Sequence, residues 1–388
     1  MIDPDAVLLP WLDRIAADAG PLSLFDAHTH LGANDPDGYK QRPEELLAVL
    51  EHAGARAAVF AMHEPDGYPP ANDMVLAAAA AADGRLVAFT RVDPHAPGAV
   101  DEARRCLDAG ARGIKLHPRA EQFGLDEPVV RDLVALAHER TVPVLIHAGR
   151  GIPALGRHTI HLAEEFQRAR LILAHAAISD LAWLWRVLPA HPNVFIDTAW
   201  WHPADLVALF ALVPPGQILW ASDSPYGLPV VSAGIALRCA LEAGLEPEQL
   251  RLVAGGQLER LLAGEDPVDA GPAPGPPPPV HPLLERVGAN ITAAFGRTLG
   301  RDDPAEQIAL AKLACAVGDD VPEAPLYGAL MGLLELYEEH LAPPEGGQRF
   351  PTAMRFLLFA LTVSRTPRVP LPDRLAAPPP TRDEADHA

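Results

Sequence analysis

The chain has 388 residues, with 31 Lys plus Arg against 51 Asp plus Glu and a formal net charge of −20. That surplus of negative charge repels nucleic-acid backbones and anionic membranes, which excludes either as the main partner. A hydrophobic content of 49% excludes a disordered chain.

Cys106, Cys239 and Cys315 are too dispersed for a CxxC metal or redox motif. The N-terminus has no basic n-region, and no apolar run reaches ~18–20 residues. A reduced, cytoplasmic protein is expected.

In chain order, Val7, Leu8, Trp11, Leu12 and Ile15 first fall at helical spacing. Short, almost wholly apolar runs follow at 24–28, 56–61, 86–90, 113–116, 142–146, 171–174, 194–196 and 218–221. Helix-like segments separate them, for example at 43–53, 71–82, 98–109, 128–140 and 203–213. Several carry proline near the first turn, where its missing N–H would have no partner anyway. Apolar strands alternating with helices make a parallel sheet covered on both faces. Eight such units in roughly 260 residues predict an α/β fold, a (β/α)8 TIM-like barrel. A doubly wound sheet is the alternative, and the polar residues decide between them.

In a barrel the functional side chains project from the C-terminal ends of the strands. Here the first run ends Asp26-Ala27-His28-Thr29-His30 and the fourth Lys115-Leu116-His117-Pro118; the fifth ends at His147, the sixth at His175 and the eighth at Asp223. Side chains at i and i+2 share a strand face, so His28 and His30 point the same way. A single strand-end histidine is an ordinary hydrogen-bonded core residue, and His52, His138, His191 and His340 fit no pattern. Two imidazoles from one strand, one from each of two later strands and a carboxylate from the last are harder to dismiss. Such converging N and O donors suit Zn²⁺ or another divalent transition metal.

The stretches FDAHTHLG at 25–32, RGIKLHPR at 112–119, VLIHAG at 144–149, LILAHA at 171–176 and LWASDSPYG at 219–227 carry a resemblance. As a set they resemble the amidohydrolase superfamily, in particular the amidohydrolase-related branch that includes aminocarboxymuconate-semialdehyde decarboxylase. GGQLERLL at 255–262 looks like that group's closing helix, with Gln257 where Asn is usual.

The resemblance spans residues 20–263 and implies a distorted barrel with its metal at the strand C-termini. It implies His28, His30, His147 and Asp223 as ligands of one or two divalent ions, Zn²⁺ first and Mn²⁺ as the alternative. His175 is implied either as a ligand of a second ion or, with Asp223, as the acid/base that moves the protons of an activated water. Asp26 either holds a ring N–H behind a ligand or is structural. Lys115 either is carboxylated and bridges two ions, as in some binuclear members, or binds substrate together with His117.

Around this centre, Arg119 and Arg91 are candidate clamps for a carboxylate, whose geometry a guanidinium matches; a plain salt bridge is the alternative for Arg119. His63 follows the second strand. Trp200, in the Trp200-Trp201-His202 segment after the seventh, either packs or walls a planar substrate. His158 and His161 belong to a helix face.

Between residues 271 and 282, seven of twelve residues are proline, a composition that favours extended polyproline and marks a boundary. The expected organisation is a barrel at 1–263, a Pro-rich linker at 264–282, a small all-α domain of unknown role at 283–366 and a disordered tail at 367–388. In the α domain, Leu284, Val287, Ile291 and Phe295 fall at helical spacing, as do Leu326, Leu330, Leu333, Leu334, Tyr337 and Leu341. This region is expected to serve a homo-oligomer, a protein partner or a lid.

Three functions are carried forward. The first is a metal-dependent hydrolase that uses an activated water on an amide, lactone or ester bond of a small molecule. The second is a non-oxidative metal-dependent decarboxylase of an unsaturated or aromatic acid. The third is an inactive barrel scaffold carrying an interaction domain.

Overall fold

The computed structural model describes residues 4–300, 302–318, 320–342 and 352–373. The chain forms two compact units, Pro21–Pro277 and Met1–Gly20 together with Pro278–Ala388. The opening segment therefore belongs with the C-terminal helices, not with the barrel to which the expected 1–263 boundary assigned it. The reason is packing: Val7, Leu8, Trp11 and Ile15 are buried, and Trp11 meets Phe359 edge to face at 5.0 Å between ring centroids.

The Pro21–Pro277 unit has parallel strands β1 (Leu24–Leu31), β2 (Ala55–Ala61), β3 (Leu86–Ala88), β4 (Thr90–Arg91), β5 (Ile114–Leu116), β6 (Pro143–Ile146), β7 (Arg170–Leu173), β8 (Val194–Asp197) and β9 (Ile218–Leu219). β3 and β4 are one expected run broken at Phe89. The Phe89 N–H donates back to Val59 O, whereas the Thr90 N–H donates forward to Gly113 O. The two ends of the strand order are also joined. Ala27 N donates to Trp220 O, Asp223 N to His28 O and His30 N to Ser224 O, at 2.8–3.0 Å.

Helices Pro43–Ala53, Pro69–Ala81, Pro128–Arg140, Pro203–Leu212 and Pro229–Ala243 each open on proline, as the sequence predicts for the first, third and fourth. Pro43–Ala53 shows the local logic. Glu45 accepts from the Arg42 N–H at its start, and Gly54 ends it at φ 63°. Inside the sheet, Phe25, Ala58, Phe60, Phe89, Leu145, Ile172, Phe195 and Leu219 form one buried cluster. Each large member contributes about 1.5–3 kcal/mol by leaving water.

The expected linker at 264–282 is divided by the structure. Residues 264–277 stay with the barrel unit. Buried Gln257 is the staple: its amide donates to Gly216 O and Val268 O and accepts from the Val268 N–H. Further along, Gly275 N donates to Ala211 O.

The second unit holds helices Pro4–Ala19, Pro282–Leu299, Ala305–Cys315, Ala324–Glu339 and Met354–Arg365. The stripes read from the sequence are buried at Leu284, Val287, Ile291, Phe295, Leu330, Leu333, Leu334 and Tyr337. Leu341 lies beyond its helix and is 47% exposed. Residues 367–373 are described and Val369 is buried, so ordered chain continues past the expected start of the tail. Residues 374–388 of that tail lie outside the described residues. Among the described residues, no helix is long and apolar enough to cross a membrane.

Candidate metal centre

β1 brings His28 and His30 to the same side, with ring centroids 5.1 Å apart over Phe60, which touches both rings. Asp223, after β9, meets them from the other end of the strand order. Its Oδ1 lies 3.2 Å from His28 Nε2 and 3.1 Å from His30 Nε2. The ligand atoms of these three residues all lie within 4.8 Å of one another.

Asp197, at the end of β8, orients the group, and sequence reasoning missed it. Its Oδ2 lies 2.8 Å from His28 Nδ1, while Oδ1 accepts from the His175 and Ala199 backbone N–H groups. A carboxylate on Nδ1 fixes the imidazole tautomer and leaves the Nε2 lone pair facing the centre. That lone pair faces Asp223 Oδ1 at 3.2 Å and converges with it on the position a cation would take. The donor set fits a divalent transition metal. The signal was present, since Asp197 ends an apolar run like the other site residues. Asp26 does not hold a ring N–H. Its Oδ1 accepts from His28 N and Ser222 N and so pins β1 to the segment after β9.

His175 caps β7 in a strained turn. His175, Ala176 and Ala177 have φ of 58°, 55° and 47°, and Asp223 has φ 62°. Left-handed backbone costs a non-glycine residue about 1–2 kcal/mol, so the surrounding hydrogen bonds hold these turns in place. His175 Nδ1 bonds the Ala199 carbonyl at 2.9 Å, which makes it the donor and leaves Nε2 to accept from His147 Nδ1 at 2.9 Å. His147 Nε2 is then a buried lone pair without a hydrogen-bond partner. A side chain at Gly149 would begin 2.6 Å from that nitrogen, so only glycine leaves it room. His117 stacks on His147 at 3.8 Å. The structure thus groups His28, His30 and Asp223, while His147, expected as a further ligand, is tied to His175.

Burial sets the charge states. It holds His28, His30, His117, His147 and His175 below the ordinary imidazole range, which keeps them neutral, the form that binds metal. Burial also pushes the Asp223 carboxyl well up, with Lys115 opposing. A bound cation would reverse that balance. Lys115 is fully buried, 3.4 Å from His28 Nε2 and over the Phe60 ring; burial, reinforced by Arg91, lowers its ammonium to about 7.

The remaining candidates separate. Arg91 is buried and committed, donating to Ala61 O and to Glu121. Arg119 is exposed, with no hydrogen bond or ion pair among the described residues, and its charge acts on His147. His63 is half-buried and lines a cavity that none of the three grouped ligands lines. The Trp200 indole donates to Asp205 at 2.7 Å, which ties it to the following helix.

Parallel α/β units with N and O donors gathered near the strand ends make an α/β fold with a candidate metal site. The Amidohydrolase family profile (Amidohydro_2) matches residues 25–262, and the chain belongs to that family. It is similar to a solved, uncharacterised TIM-barrel protein from Bordetella bronchiseptica, at 16% identity over 63% of this chain and 99% of that one, with a TM-score of 0.51. It is also similar to 2,6-dihydroxybenzoate decarboxylase from Rhizobium, at 15% identity over 63% and 99%, with a TM-score of 0.50. At these identities the likeness establishes the TIM-barrel fold. No curated protein matches the chain.

Proposed function

We propose that this member of the amidohydrolase family is a metal-dependent hydrolase acting on an amide, lactone or ester bond of a small molecule. The supporting observation is the convergence of His28 Nε2, His30 Nε2 and Asp223 Oδ1 within 4.8 Å, with Asp197 behind His28. These residues would hold one divalent ion, Zn²⁺ before Mn²⁺. When bound, such an ion lowers the pKa of water towards ~7 and polarises the scissile bond.

The chain's own residues move the protons. Asp223 would take up and return the proton, while His175, whose Nδ1 lies 4.0 Å from Asp223 Oδ2 and already donates to the Ala199 carbonyl, would hold the wall of the site in place. Lys115 has a neutral amine in reach near pH 7, the form that adds carbon dioxide. Carboxylated, it would serve a second ion; unmodified, it and His117 would contact substrate.

A second reading, decarboxylation of an unsaturated or aromatic acid, draws support from Arg119. An exposed guanidinium whose charge is felt at His147 is a ready anchor for a substrate carboxylate. Arg91 is already neutralised by Glu121 and offers no such anchor.

Metal analysis of protein purified without added metal tests both readings. We expect close to one ion per chain, lost in His28→Ala and Asp223→Asn. Less than about 0.2 per chain, with no uptake of zinc or manganese, overturns both. His147→Ala shows whether that imidazole also reaches the ion. Incorporation of solvent ¹⁸O into product identifies hydrolysis, whereas release of carbon dioxide without it identifies decarboxylation.

A further inference from the structure

A cavity of about 470 Å³ opens among the loops that follow β2, β4 and β5, and none of His28, His30 and Asp223 lines it. Its walls carry Glu64, Asp93, Glu102 and Glu121 beside His63 and His95, and no lysine or arginine; the remainder is largely apolar.

The four carboxylates differ in what they already hold. Asn34 donates to Glu64, Asn72 and Arg105 donate to Glu102, and Asp93 accepts from the His95 N–H of its own turn. Arg91 and the Tyr68 hydroxyl both donate to Glu121 Oε1. Glu121 Oε2 has no hydrogen-bond partner, although the side chain is only 4% exposed. His63 Nδ1 is likewise buried without one.

An unsatisfied buried acceptor costs about 1–3 kcal/mol, and more when charged. The terminal torsion of a glutamate is soft, so a donor entering the cavity can claim that oxygen. Sign also matters. Arg91 balances Glu121 and Arg105 balances Glu102, so the negative charge left on the wall is that of Glu64 and Asp93.

We infer that this cavity binds the protonated amine of a small molecule, with Glu121 Oε2 as the accepting atom. An anionic group meets repulsion there, and a neutral hydroxyl lacks the Coulomb attraction. The site goes beyond the proposed hydrolysis and requires only binding. It is therefore tested on metal-free protein, where failure of the site and failure of the proposed chemistry are separate results.

The test is an NMR titration with n-butylammonium, with butyrate and butan-1-ol as probes of matched size, following the backbone amides of Gly67, Asp93 and Gln122. Saturable shifts are expected with n-butylammonium at a dissociation constant of about 1–10 mM, and binding at least about tenfold weaker for the other two. Glu121→Gln should weaken n-butylammonium about tenfold. Ala96→Trp, at an exposed position of the wall, should block the cavity with every charge intact; it carries the test if the Glu121 variant fails to fold. Equal binding of butyrate or butan-1-ol, no saturable shift, or wild-type affinity in both variants overturns the inference.

Discussion

In the barrel unit Asp26, Lys115, Asp197 and Arg91 are almost wholly buried at or beside strand ends, whereas the helices of the second unit close over Trp11, Ile291, Leu334, Phe356 and Phe359. Among the described residues, the buried serine and threonine side chains of the helical unit, Thr362, Ser364 and Thr366, each donate to a carbonyl of the last helix. Removing a charge from water costs several kcal/mol, a hydroxyl far less. A fold keeps buried charges only where partners or a ligand offset them. The difference teaches where to look: charge burial marks the chemistry, and apolar burial marks what holds a unit together.

The largest expected effect lies in the first region. Asp223→Asn should lower turnover by about 10³-fold or more while leaving the circular dichroism spectrum unchanged, because it removes both a ligand and a proton acceptor. Retention of full activity would break the contrast at its strongest point. In the second region, Phe359→Ala should cost about 3–5 kcal/mol in urea unfolding and leave the metal content as it was. Loss of metal with it would show that apolar burial there also serves the chemistry.

Two buried aspartates sharpen the comparison within the barrel. Asp197→Asn should weaken metal binding about 10–100-fold, since Asp197 orients His28. Asp26→Ala should cost about 1–3 kcal/mol of stability through the lost backbone hydrogen bonds and spare the metal. The reverse pattern in competition with a chelator would restore the ring-holding role to Asp26.

The smallest effect is a slope. In metal-free protein, burial holds the five imidazoles of the centre below their ordinary range. Below about pH 6.5 the unfolded chain takes up protons that the native fold does not. The imidazole contribution to stability is therefore fully present above that pH and falls below it, by up to about 1.4 kcal/mol per pH unit for each imidazole that stays neutral. Denaturation curves from about pH 7 to pH 5 measure the slope, and His30→Asn should flatten it. The carboxyls of Asp26, Asp197 and Asp223, pushed up by burial, bind protons in the native state and oppose that slope, so the change made by His30→Asn is the deciding readout, and no change would mean that His30 is not buried as described.

Much of this was legible in the chain. The apolar runs at 56–61 and 142–146 lie in or close to β2 and β6, because a strand buried on both faces leaves a continuous apolar signature. His28, His30 and Asp223 stood out because donors at strand ends interrupt such runs. Asp197 carried the same mark and was passed over, since a single aspartate after three apolar residues has no motif around it. Glu121 carried none. Its importance comes from Arg91 and Tyr68, 30 and 53 residues away.

The sequence by itself determined the alternation of strands and helices, the helical stripes of the C-terminal region and the ends at which the donors stand. These follow from periodicity and composition, which act over a few residues. Tertiary structure alone decided that Asp197 reaches His28 across 169 positions, that His147 is tied to His175, and that the opening helix packs with the last. Those partnerships depend on which strand ends and helix faces meet, and no local pattern carries that information.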